Sequence, residues 1–418
     1  MPGRQPARRA PLMLMIGPGL LLAATGVGGG DLATGTFVGG LLGTAVLWAV
    51  VVGAVLKFVV TEGLARWQLA TGETLIEGAV SRLGRGVVWL FMPYLLLWSF
   101  FVGSAQMSAT GVTLHAMLPV FDEAERGKVV FGIISGLTGL VLVWFGGFRL
   151  FEYVMRGCIG VMLVTVMLTA GLLWPGTGVV FEGLVIPRIP DAGGQGIPWT
   201  IALIGGVGGT LTVLCYGYWL REDGLTSRDD LRMCRIDLMT AYLMTAAFGI
   251  SMVIVGSSIS IEGGGAELLV TLSTRLEEVM GPAGKYFFLV GTLGAVFSSL
   301  LGVWQCVPYL FADCWGLLES REREALARVD TRSVPYRSYL ILIATVPMLG
   351  LFWSFREVQL LYAVTGALFF PVLALALLVF NGQSAWVGRD FRNGPLTIVA
   401  LVLVLIFFSW AGLRLYLA

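Results

Sequence analysis

The chain has 418 residues, 57% of them hydrophobic and only 13% charged, where an ordinary soluble domain carries about 25% charged residues; its mean hydropathy is +0.85. Charge this scarce leaves most helices without a water-facing side, so they must face lipid or one another, and the chain reads as an all-α, multi-pass integral membrane protein. A net charge of +1 offers no basic surface for a nucleic acid. The five cysteines (Cys158, Cys215, Cys234, Cys306 and Cys314) form no CxxC pair and His115 is the single histidine, which excludes a zinc or disulfide scaffold.

At the N-terminus, Arg4, Arg8 and Arg9 ahead of the apolar run from Leu12 to Thr25 have the layout of a secretory signal. The apolar run continues through glycines into Leu32 to Val50 with no convincing cleavage site, so it reads as the first membrane helix. A span needs about 20 apolar residues, fewer if broken or tilted. Eleven segments qualify: 12–43 (interrupted), 44–65, 87–118, 128–147, 149–173, 197–220 (interrupted), 236–259, 284–312, 336–354, 357–380 and 395–416. Polar connections are short, and only the one near 260–283 is long enough to fold on its own surface. Residues 1–418 thus read as one membrane domain with no appended soluble domain. Alternating the loops from a cytoplasmic N-terminus gathers most of the 27 Lys and Arg residues on the inner side. That leaves Arg126, Lys128, Arg188, Arg275, Lys285, Arg356 and Arg414 outside, and Lys57 and Arg156 within spans. The expectation is a protein of the cell (cytoplasmic) membrane with its N-terminus inside and its C-terminus outside.

Two spans are interrupted by glycine. The first reads GPGLLLAATGVGGGDLATGTFVGG, with Gly28, Gly29, Gly30 and Asp31 at mid-membrane. The sixth reads IALIGGVGGTLTVLCYGYWLRE, with Gly205, Gly206, Gly208, Gly209 and Thr210 at its middle. Each glycine costs a helix about 1 kcal/mol relative to alanine, so such runs favour unwinding. Unwound backbone at this depth is tolerated only against protein or a water-filled cavity. Breaks in helices one and six, five spans apart, mark an inverted five-plus-five repeat with a substrate bound where the breaks meet. The first repeat covers 12–173 (helices 1–5), the second 197–380 (helices 6–10), and helix 11 covers 395–416. Close helix packing through small residues is the plain alternative for such glycines; two matched breaks, one beside a carboxylate, favour a site.

The run GPGLLLAATGVGGGDLAT resembles the first helix of the NRAMP metal-ion transporters, which carry a Gly-Pro start and an Asp-Pro-Gly-Asn motif followed by Ala-Thr. LWAVVVGAVLKFVVTEGLARWQLATGETLIEGA is similar to that family's second helix and loop. GGFRLFEYVMRGCIGVML, with Arg149 and Glu152, is similar to the fifth helix, and GTLGAVFSSLLGVWQ more weakly to the eighth. The likeness covers most of the chain, and it implies a LeuT-type fold and a secondary transporter working by alternating access. It also brings out departures. Gly28 stands where the family has its metal-coordinating Asp, Gly29 stands at its Pro, and Asp31 at its Asn. The family's sixth-helix Met-Pro-His falls near Gly209, Thr210 and Leu211, and its third-helix acidic pair near Gly103 and Gln106. The magnesium-transporting branch keeps the first-helix Asp that this chain lacks. A thioether selects soft ions, and none is offered here, so transition-metal import of the usual kind is not expected.

Two cargo chemistries remain open. A hard divalent cation, of the Mg or Mn class, wants several oxygens and normally one or two carboxylates. Asp31 is the one acidic side chain beside a break and so the candidate metal ligand; Thr25, Thr34, Thr210 and Thr212 add hydroxyls and the unwound turns add carbonyls. Asp31 equally suits the N-cap of the half-helix that follows the first break. A small anion such as bicarbonate would instead use amides freed at the glycines and the positive ends of the half-helix dipoles, with Asp31 serving a co-transported cation. Lys57, inside the second span, is expensive to bury and a functional candidate, or else a structural partner of Glu62, Glu152 or Asp31. For coupling to Na+ or H+, the LeuT-type sodium site implied by the resemblance would use Ser298 and Ser299 of the eighth helix opposite Ala24 to Val27. Gln106, Ser104, Thr110, Gln305 and Tyr216 read as polar support through interhelical hydrogen bonds. Glu152 and Arg156 read as a pair four residues apart, and His115 as an interfacial residue.

An intramembrane enzyme needs paired aspartates, a Ser–His dyad or an HExxH zinc site, and the chain offers none of these constellations. Channels multiply a short filter by symmetry, whereas a single-chain inverted repeat suits a carrier. A receptor or scaffold would carry large soluble loops. The expectation is therefore a secondary active transporter of a small inorganic ion that needs no cofactor. Its partners are the lipid bilayer and the ion, with oligomeric state open, a monomer included.

Overall fold

The structure, a computed structural model, describes residues 17–259, 265–319 and 330–417. Residues 12–16 of the first expected span, Arg4, Arg8 and Arg9, the stretch 260–264, and Arg321, Arg323 and Arg328 lie outside the described residues, as do the side chains of Arg149, Glu152 and Arg414. The described residues are overwhelmingly helical and contain no strand. Lipid offers no hydrogen-bond partner, so each apolar segment must satisfy its own backbone, which a helix does.

Among the described residues, ten stretches are long and apolar enough to cross a membrane; the first, Asp31–Thr71, holds parts of two expected spans, divided at Gly43 where a φ of +69° turns the chain. The first crossing is α1 (Pro18–Gly26), a π-helical run (Val27–Thr34) and α2 (Gly35–Leu42), and the second is α3 (Leu47–Thr71). Short α4 (Leu75–Leu83), opened by a capping box between Thr74 and Glu77, leads into the third, α5 (Gly86–Met117). The fourth and fifth lie in α6 (Ala124–Leu172), which stays helical where the sequence reads a break near 148; its two apolar stretches are Ala124–Gly146 and Tyr153–Leu172. The residues between them hold glycine but no proline, so no missing N–H interrupts the hydrogen bonding.

After α7 (Thr177–Val185), the sixth crossing is made of α8 (Gly196–Gly206), a 3-10 turn (Leu211–Cys215) and α9 (Tyr216–Glu222). The seventh is α10 (Leu231–Gly256). The eighth lies in α11 (Leu268–Glu319), which begins in the expected polar stretch and bends at Gly281 (φ +74°) just ahead of Pro282. The last crossings are α12 (Val334–Thr345) with the 3-10 run Val346–Phe352, α13 (Phe355–Ala367) with α14 (Phe369–Phe380), and, after short α15 (Ser384–Val387), α16 (Pro395–Leu417).

In the core, α8 packs against α3 and α13, α10 against α1, α2 and α3, and α11 against α5 and α6. The broken sixth crossing is buried almost throughout, whereas α16 is mostly outward-facing; Leu396 at its start is 87% exposed, as a lipid-facing side chain is. Among the described residues, several charges buried within the bundle are paired. Arg66 Nε and Arg235 Nη2 each lie 2.7 Å from the Glu62 carboxylate. Lys128 donates to the Trp353 carbonyl at 2.7 Å and to Glu125. These partners take Glu62 away from Lys57.

Candidate ion site between two irregular helices

The glycine run of the first crossing does not unwind. Residues Val27–Thr34 widen into a π-helix, and the flanking Gly26 and Gly35 keep right-handed helical angles. Such one-residue-wider turns recur at functional sites, and here the surroundings explain the widening. A Cβ on Gly26 would lie 2.5 Å from the Gly208 carbonyl carbon and from the Gly209 nitrogen, and one on Gly28 2.5 Å from Ser299. Gly26 is glycine because another backbone lies against it, and Gly28 because Ser299 does. Two expectations are corrected by this. The amides of Gly28, Gly29 and Gly30 remain within helical backbone, with Gly28 donating to Ser299 Oγ at 2.6 Å. Asp31 is not a helix cap either: the residue before α2 is Thr34, without a side-chain cap bond, because an uninterrupted helix leaves no free amides there.

The sixth crossing does break. Val207 leaves α8 with a ψ of 124°, and Gly208 (φ +70°) and Gly209 (φ +86°) occupy the left-handed region that glycine enters without strain. The broken turn is held from both sides. Asp31, fully buried, accepts the Gly208 amide, at 3.1 Å through Oδ2 and 3.3 Å through Oδ1. Lys57, also fully buried, donates to the carbonyls of Gly205 (2.6 Å), Val207 and Gly209, which uses its three ammonium protons. Its Nζ lies 4.7 Å from the centroid of the Phe370 ring. Carboxylate and ammonium thus bracket Gly208, and the cation sits at the C-terminal end of α8, where the helix dipole is negative. Of the three partners expected for Lys57, Asp31 is its facing charge, Glu62 is engaged elsewhere and Glu152 lies outside the described side chains.

The hydroxyls divide. Thr25 bonds back to the Leu21 carbonyl at 2.7 Å, and Thr210 accepts Trp98 Nε1 at 2.9 Å and meets Tyr362. Thr34 is buried at the end of the π-helix. Thr212 is buried and its hydroxyl has no hydrogen-bond partner, and the same holds for Thr245 of α10, which packs beside Gly208 together with Tyr242. Tyr242 in turn meets the Thr61 hydroxyl at 2.7 Å.

Ala24, Ser298 and Ser299 come together near the end of α1. Ser299 Oγ donates to the Ala24 carbonyl at 3.0 Å while accepting Gly28, and Ser298 Oγ lies 3.3 Å from the same carbonyl and 2.9 Å from that of Ala295. Val27 is the C-cap of α1. Tyr216, by contrast, supports the opposite end of α1. It donates to Asp237 Oδ2 at 3.1 Å, and that carboxylate accepts the amides of Gly19 (2.6 Å) and Gly17 (3.3 Å), capping the start of the helix. Gln106 is buried in α5, where its backbone carbonyl accepts Thr110 at 2.8 Å, and Gln305 accepts Trp219 at 3.0 Å. His115, two residues from the end of α5, is buried, 5% exposed.

Sequence reading passed over Trp98, Tyr362, Thr245 and Asp237. Only Asp237 carried a signal, a carboxylate inside an apolar span. Among the described residues no three His, Cys, Asp or Glu side chains cluster as metal ligands. A cation at this place would rest on one carboxylate, with hydroxyl and carbonyl oxygens around it.

Apolar helices in this number, with the first widened and the sixth broken where the two touch, define a secondary transporter of LeuT type. A family model described as natural resistance-associated macrophage protein-like (Nramp) matches residues 19–418, and the chain belongs to the Nramp family of membrane transporters; it is not an enzyme. It is similar to the divalent metal cation transporter MntH of Verminephrobacter eiseniae, 25% identical with 90% of each chain covered. It is also similar to MntH of Chromohalobacter salexigens, 24% identical over 71% of this chain and 69% of that relative. The crystal structure of a mutant of the Eremococcus coleocola manganese transporter superposes with a TM-score of 0.71 at 16% identity, over 99% of this chain and 88% of that one. That likeness is one of fold.

Proposed function

We propose that the chain carries a hard divalent metal ion, of the Mg or Mn class, across the cell membrane by alternating access. The cargo binds between the π-helical run of the first crossing and the break of the sixth. The observation that carries this reading is Asp31, a fully buried carboxylate aimed at the opposite break, with the Thr212 hydroxyl and the carbonyls of Gly205, Val207 and Gly209 around the same turn. Hard divalent ions take such oxygens and retain part of their water shell, so a single carboxylate suffices. Relatives named as divalent metal cation transporters support a cation as cargo. In this reading helices 1–5 and 6–10 are the two inverted repeats, helix 11 stands apart, the N-terminus is inside and the C-terminus outside. Ser298 and Ser299 with Ala24 and Val27 form the seat of a coupling Na+, with H+ the other candidate.

One observation favours a second reading. Lys57 places an amino group beside the turn that Asp31 holds, which offers the site a cationic partner without any bound metal and suits a small anion, such as bicarbonate, carried with a cation. Uptake into proteoliposomes separates the two. Manganese and magnesium are followed with metal-sensitive dyes and bicarbonate through internal pH, each with and without a sodium gradient. Saturable divalent uptake that is lost in Asp31→Asn upholds the metal reading. Sodium-dependent alkalinisation by bicarbonate with no divalent flux replaces it with the anion reading.

A further inference from the structure

We infer that Lys57 is a tethered cation that occupies the carbonyl seat of the broken sixth helix when cargo is absent, and that it competes with the transported metal ion for that seat. This rests on the metal reading above. Three carbonyl oxygens, of Gly205, Val207 and Gly209, converge on the Lys57 ammonium. They come from different stretches of chain: the last turn of α8, its C-cap, and the far side of the left-handed turn at Gly208 and Gly209. A converging set of backbone carbonyls at the negative end of a helix dipole is the arrangement that hard cations bind. The ammonium has three donors, and each finds one of these oxygens.

The seat is therefore full, and its occupant is covalently attached to α3. Asp31 accepts the Gly208 amide within the same turn, so the empty site pairs a carboxyl group with an amino group. A divalent ion that approached Asp31 while Lys57 stayed in place would meet a like charge across one residue, in surroundings where screening by water is weak. If instead the ammonium withdraws, the ion gains the carbonyls together with the carboxylate, and the net charge of the site rises by one rather than two. The side chain is suited to leaving. It is a compact charge on a flexible four-carbon stem, already in cation–π contact with the face of Phe370 at 4.7 Å. A purely structural lysine would behave differently: removing it would loosen the turn and weaken, not strengthen, whatever binds there.

Manganese binding to the purified full-length chain, measured by titration calorimetry for wild type, Lys57→Met, Lys57→Gln and Asp31→Asn with thermal unfolding recorded on each, tests the inference. Met fills the space of the stem without charge, and Gln keeps an N–H donor for the carbonyls, so one of the two remains assayable if the other does not fold. At least tenfold tighter manganese binding in the folded Lys57 variants supports competition. Binding in wild type that is lost in Asp31→Asn but equal or weaker in the Lys57 variants overturns the competition and leaves the metal reading standing. No manganese binding in any variant overturns both.

Discussion

The carboxylate of Asp31 meets the amide of Gly208 at 3.1 Å, so a widened turn in one membrane helix supplies the acceptor that a broken turn in another has lost. The contact joins two crossings far apart in sequence, and it does so with the one carboxylate that either irregular turn possesses.

Asp31→Asn separates the charge from the contact. The amide oxygen of asparagine can still accept Gly208, while the charge that would hold a cation is gone. Transport by the purified variant in proteoliposomes is expected to fall to background. Wild-type rates would leave Asp31 with nothing but its hydrogen bond.

The approach of the two irregular turns is set by Gly26, whose added Cβ would sit 2.5 Å from backbone atoms of Gly208 and Gly209, which cannot rotate aside. Gly26→Ala should therefore destabilise the fold by about 1–3 kcal/mol, as overpacking does. Gly86, with open space around its Cβ position, is the control; there alanine should be neutral or stabilising by up to about 1 kcal/mol. Thermal unfolding of both variants in one detergent makes the comparison, and equal midpoints would show that the turns can move apart freely.

Ser299→Ala removes a buried hydroxyl that accepts Gly28 and donates to Ala24. The Gly28 amide loses its acceptor, while the Ala24 carbonyl keeps Ser298 at 3.3 Å, for an expected loss of about 1–3 kcal/mol. If the seat beside Ala24 and Val27 takes a coupling Na+, the sodium dependence of uptake should vanish in this variant. A sodium response that survives intact would move the coupling site elsewhere.

At the other end of α1, Asp237→Ala leaves the Gly19 amide and the Tyr216 hydroxyl without their acceptor. The cost should resemble that of a lost helix cap, roughly 0.5–2 kcal/mol. Tyr216→Phe should show a smaller part of it. Hydrogen exchange at Gly19 and Leu20 reads the effect locally; unchanged protection would mean that water or another group replaces the cap.

The crossings were legible because apolarity over about 20 residues is a property of sequence alone. The meeting of the two irregular turns was legible because glycine runs five spans apart mark it, and the grouping of Ser298, Ser299 and Ala24 follows once α11 is set against α1. What the sequence hid is backbone chemistry. The partners of Lys57 are carbonyls and the partner of Asp31 is an amide, groups that nearly every residue carries, so no residue type announces them. Whether a glycine run unwinds or widens depends on what lies against it, and for Gly26 and Gly28 that is Gly208, Gly209 and Ser299. Trp98 and Tyr362 reach Thr210 from helices that nothing in the local pattern connects.

A π-helical turn holds about one residue more than an α-helical turn, and an α-helix advances about 100° around its axis per residue. The stretch Val27–Thr34 therefore carries slack in helical phase. Conversion of this stretch to α geometry would exchange its i→i+5 hydrogen bonds for i→i+4 bonds and would swing Asp31 by about that angle, away from Gly208.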